Sequence, residues 1–225
     1  EGNGAFSATA ARSIALQTGA SIRTTGGDLL LSANWQETVT SGDFIGVSID
    51  GATVAVDGVG SLTIRGRGGD GSSGSQHGIW IEGWENSALV QGGAVGTTVL
   101  DGIAGASAGG GGFGFLAEGA MSHLTTLGSD LEIVGEAGAQ SGGGGLSLRG
   151  GVSVTTAPSG GAIRLKGTAA AGNNAGIVIE TASLESGEDA IWLEGQGSGE
   201  GQAIHSVTAD GWIESGGGIL LKSAG

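Results

Sequence analysis

Apolar and polar residues alternate in short bursts along the whole chain, and most bursts close on glycine or another small residue. One series occupies residues 29–33, 62–66, 98–102, 131–135, 163–167, 191–195 and 219–223. A second interleaves with it at 14–18, 47–51, 79–83, 115–119, 146–150, 177–181 and, more weakly, 204–208. A third and looser set follows at 21–24, 53–56, 152–155, 183–184 and 212–213. Alternation at period two sends the first and third residue of each burst to one side, as in a half-buried strand. Residues 1–9 read as a turn leading into the second series.

The first series closes at positions 33, 66, 102, 135, 167, 195 and 223, a step of 28 to 36 residues. Aligning the bursts at that step gives uniform columns. One holds Leu29, Leu62, Thr98, Leu131, Ile163, Ile191 and Ile219, and its neighbour Leu31, Ile64, Leu100, Ile133, Leu165, Leu193 and Leu221. The pattern predicts an all-β fold: a right-handed parallel β-helix (solenoid) of about seven rungs, three strands each, with like aliphatic residues stacked. Residues 1–225 form a single β-helix segment, expected to be a fragment or repeat unit of a much longer protein.

Composition fits a coil. Glycine fills 52 of 225 positions and proline one, without the Gly-X-Y period of collagen. Glycine at this density disfavours helices and suits the sharp turns between strands. There is no cysteine, which removes disulfides, thiolate metal sites and cysteine nucleophiles. The net charge of −14 repels a phosphate backbone, so nucleic acid is an unsuitable partner. No apolar run approaches the length of a membrane-spanning helix.

Outward positions carry the candidate chemistry. In the first series Arg65 falls beside Asp101, Glu132 beside Arg164, and Glu194 between Lys166 and Lys222, all opposite in sign. In the second series Asp50, Glu82 and Glu118 stack as three carboxylates, which makes calcium the one candidate cofactor. A solvated acidic face is the plainer reading of that column. Trp80 and Trp192 are outward on different faces, with Leu116 in the column of Trp80, and these are candidates for an interaction surface. Gly66-Arg67-Gly68-Gly69-Asp70-Gly71 matches a dinucleotide-loop spacing, but a strand rather than a helix follows, so the match is chance. His77, His123 and His205 occupy non-equivalent positions and assemble no nucleophilic triad. No catalytic residue is assigned, and the chain is not expected to be an enzyme.

The run Ala20-Ser21-Ile22-Arg23-Thr24-Thr25-Gly26-Gly27-Asp28-Leu29-Leu30-Leu31-Ser32-Ala33 resembles the rungs of filamentous-haemagglutinin-type bacterial exoproteins, as do residues 52–66 and 150–167. The resemblance implies a structural or adhesive segment of a large, secreted, fibrous protein at the cell surface. Its partner would be the next rungs, either end to end with another copy or continuing in the same chain. Glycans or a host or neighbouring cell surface are the candidate external partners. The alternative function is a polysaccharide-active β-helix enzyme, or a carbohydrate-binding surface, using the Asp101/Glu132/Arg164 face.

Overall fold

The computed structural model describes residues 4–72, 75–106, 112–139, 143–170, 172, 174–207 and 211–223. Its secondary structure is all β, arranged as three parallel sheets. The first contains β1 (Phe6–Ala10), β4 (Leu29–Ala33), β7 (Leu62–Arg67), β10 (Thr97–Ile103), β13 (Asp130–Glu136), β16 (Ile163–Thr168), β19 (Ile191–Gln196) and β22 (Ile219–Ser223). The second contains β2 (Ile14–Leu16), β5 (Val47–Asp50), β8 (Ile79–Glu82), β11 (Phe115–Glu118), β14 (Leu146–Arg149), β17 (Ile177–Glu180) and β20 (Ile204–Val207). The third contains β3 (Ser21–Thr24), β6 (Thr53–Val56), β9 (Ala88–Gly92), β12 (Ser122–Thr126), β15 (Ser153–Thr155), β18 (Ser183–Ser186) and β21 (Ile213–Ser215). Neighbours in every sheet are three strands apart in the chain, so the backbone winds as a β-solenoid with three strands per rung.

The register is the one the columns require. Leu131 pairs with Thr98 on one side and Ile163 on the other, and Ile133 with Leu100 and Leu165. From β4 to β19 both columns of the first sheet are at most 2 % exposed. Ile79 and Ile81, Leu146 and Leu148, and Ile177 and Ile179 face them from the second sheet, fully buried. Val54, Val90, Leu124, Val154 and Leu184 close the interior from the third.

Three elements depart from the expectation. Residues 6–10 are a strand rather than a turn: β1 pairs with β4 through Phe6↔Leu29 and Ala8↔Leu31. Residues 1–3 and Thr208, included in the expected turn and burst, lie outside the described residues. The third sheet also gains β9 and β12, whose inward residues include Ala88 and Ser122, too small or polar to stand out as a burst.

Glycine serves a second purpose besides turning. At the corner between the first and second sheets, Gly102 faces Gly114, Gly135 faces Gly145, and Gly167 faces Gly176. A β-carbon on Gly102, Gly135 or Gly167 would lie 2.0, 2.3 or 2.1 Å from the opposing carbonyl oxygen. None of these glycines has positive φ. Close backbone approach, not left-handed geometry, demands glycine there.

Among the described residues, no helix is long and apolar enough to cross a membrane.

Candidate functional site

The outer face of the second sheet carries an organised polar cluster. Register partnership lines up Trp80, Leu116 and Ser147, and two residues further along Glu82, Glu118 and Arg149. The Trp80 indole Nε1–H donates to Glu118 Oε1 at 2.8 Å. Arg149 donates from Nε to Glu118 Oε2 at 2.9 Å, and its Nη2 lies 2.7 Å from the same oxygen. One carboxylate therefore links side chains from three successive rungs. Charge-assisted bonds of this kind hold their partners in fixed geometry.

That geometry revises two expectations. Asp50, Glu82 and Glu118 are adjacent in register, but Glu118 is committed to Arg149 and Trp80. Among the described residues, no group of three or more acidic or histidine side chains could hold a metal ion. Calcium therefore finds no three-carboxylate cage in this column. Repulsion remains at Glu82, whose pKa is raised, first by desolvation and then by Asp50, Glu118 and Glu85. Leu116, expected at an interaction surface, is 1 % exposed.

His77 completes the cluster. It precedes β8 by two residues, as Phe113 precedes β11, so the rung repeat stacks the two rings. Their centroids lie 6.1 Å apart with planes 14° from parallel, and Trp80 lies 6.5 Å from His77. The Phe113 backbone N–H donates to His77 Nδ1 at 3.0 Å. Burial pushes the imidazole pKa down to about 4, against the opposing pull of Glu118. The ring is therefore neutral at physiological pH. Sequence reasoning set His77 aside because its position matches neither other histidine. The available signal was its equivalence to Phe113. Together His77, Trp80, Leu116, Glu118 and Arg149, with Ile45 and Ser75, line a cavity of about 250 Å³.

The first-sheet face is organised differently. Arg164 is the register partner of Glu132, but its Nη1 lies 2.6 Å from Asp130 Oδ2. Asp130 also accepts the Ala162 N–H through Oδ1 at 2.9 Å. Burial raises the Asp130 pKa, but the hydrogen bonds from Arg164 and Ala162 outweigh it, and the net shift is downward. The Arg164 guanidinium lies 4.1 Å from the ring centroid of Trp192, which is 40 % exposed. Asp101 faces Arg65 in register, and its pKa is raised, first by desolvation and next by Glu136, with Arg65 opposing. Glu194 meets Lys222 at 2.8 Å, as the alternating signs predict. Asp101, Glu132 and Arg164 share a sheet face, but Arg164 is already held by Asp130 and Trp192.

Comparison of the chain with protein-family models, with curated proteins and with solved structures returns no match.

Proposed function

We propose that the chain is a rigid structural and adhesive segment of a large secreted bacterial surface protein, coiled right-handedly in about seven rungs. The observation that carries this reading is the continuity of the ladders. Parallel pairing runs unbroken from β1, β2 and β3 to β22, β20 and β21 over one aliphatic interior. Such a coil is quasi-one-dimensional and gains length without changing its cross-section. The unpaired edge of such a ladder is a template for another rung, from continuing chain or a second copy. Glycans or cell surfaces are the external partners of this reading, with the cell exterior as its location.

The enzyme alternative is less well supported, because Arg164 is engaged on the Asp101/Glu132/Arg164 face by an ion pair and an aromatic ring. Small-angle scattering and electron microscopy at rising protein concentration test the scaffold reading. The eight-stranded ladder gives each rod a core about 34 Å long, and rods are expected to join axially. Leu221→Lys, which adds charge to β22, is expected to reduce that joining. Particles of constant, isotropic size at every concentration would overturn the reading.

A further inference from the structure

We infer that the cavity bounded by His77, Trp80, Leu116, Glu118 and Arg149 is a binding site for one ring of a neutral saccharide. The inference is independent of fibre formation, because it concerns one lateral face of a single solenoid. Three observations lead to it.

The first is a nearly buried donor on the cavity wall. His77 is 7 % exposed, and its Nδ1 accepts the Phe113 N–H. The neutral ring therefore carries its proton on Nε2. The residue lines the cavity, and a nearly buried N–H there is a donor that a ligand hydroxyl can satisfy.

The second is preorganisation. Trp80 and Arg149 are both fixed by Glu118, so the indole and guanidinium need little ordering when a ligand arrives. Arg149 keeps 40 % of its side chain exposed while bound to Glu118. The remaining walls, Ile45, Leu116 and the Trp80 ring, are largely apolar.

The third is charge and size. Arg149 cancels Glu118, and His77 is uncharged, so the cavity carries no net charge to attract an ion. Glu118 retains only 13 % side-chain exposure and already accepts bonds on both oxygens, which disfavours a cation. The chain as a whole, at −14, repels anions. A volume of about 250 Å³ is below the usual range for drug-sized ligands. It suits one small ring and not an extended oligomer. The remaining ligand class is neutral and polyhydroxylated, with one apolar face for the indole and hydroxyls for the imidazole, the guanidinium and Ser75. A pyranose has that chemistry.

The test is a titration of the intact, dispersed chain with D-glucose, D-galactose and N-acetyl-D-glucosamine. It is followed by the indole N–H signals of the five tryptophans and the imidazole signals of His77. D-glucuronate and calcium chloride serve as charged comparators. At least one neutral sugar is expected to shift Trp80 and His77 saturably while leaving Trp192 unmoved. Trp80→Phe and Arg149→Lys should each abolish the response, and Trp192→Phe should retain it. If Trp80→Phe does not fold, Arg149→Lys decides. The inference is overturned by the absence of a saturable response to all three sugars. Persistence of the response in the variants, or a larger shift with glucuronate or calcium, would overturn it as well.

Discussion

Arg164 on β16 lies with its guanidinium 4.1 Å from the ring centroid of Trp192 on β19, while the same group grips Asp130 on β13. Three consecutive rungs are thereby tied on the outer face of the first sheet. A flat guanidinium can stack and hydrogen-bond at once, which an ammonium cannot do. Arg164→Lys is therefore expected to cost about 0.5–1 kcal/mol although charge is conserved. Thermal melts of Arg164→Lys, Trp192→Leu and the double variant should give non-additive losses. Additive losses would mean that the stacking contributes nothing. Because the folded-state pKa of Asp130 is depressed, its share of stability is present above the ordinary carboxylate range. That share is lost as pH falls through the folded value.

The facing glycines predict an asymmetry between chemically identical changes. Gly135→Ala drives a methyl to 2.3 Å from the Gly145 carbonyl oxygen, a backbone atom that cannot swing away. Gly4→Ala meets nothing within 4 Å. The first is expected to destabilise by roughly 2–4 kcal/mol and the second by under about 0.5 kcal/mol. Urea unfolding of the two variants checks the difference, and equal midpoints would contradict the corner geometry.

His77 makes stability depend on acidity. Its folded-state pKa is lowered to about 4, so between the ordinary histidine range and that value the unfolded chain binds a proton that the folded chain excludes. Stability therefore falls on acidification through this window and levels off below it. The separation corresponds to roughly 3 kcal/mol at most. Unfolding midpoints across the window should shift less in His77→Gln than in the parent. An imidazole titrating near pH 6.5 in the folded protein would rule this out.

Glu82 is an acid opposed by its surroundings, through desolvation and then Asp50, Glu118 and Glu85. A raised carboxyl pKa means that stability improves as pH drops through the folded value. Glu82→Gln should accordingly raise the melting temperature near neutral pH. Calcium chloride at matched ionic strength should leave the parent's melting temperature unchanged. A calcium-dependent rise abolished by Glu82→Gln would reinstate a cation in this column.

The coil could be read from sequence because each rung presents the same side chain to the next. Leu131 above Ile163 and Ile133 above Leu165 are visible in one-dimensional spacing. The strand β1 was hidden because Phe6-Ser7-Ala8-Thr9-Ala10 buries little aliphatic surface, and its identity comes from pairing with β4. Site details depend on side-chain choices between rungs. Arg164 selects Asp130 over its register partner Glu132, and Glu118 turns toward Arg149, away from an acidic stack. Period-two alternation places Leu116 outward. It carries no information on what covers that face, so the burial of Leu116 could not be read from it.

The facing glycines also govern how such a chain can diverge. Their spacing sets how tightly two sheets meet, and substitution at any of them forces the main chain apart at that level. Outward positions such as Gly4, where a β-carbon would meet nothing within 4 Å, bear no such restriction. A lineage built on this plan would diversify by decorating its flanks, with the spine beneath unchanged from one variant to the next.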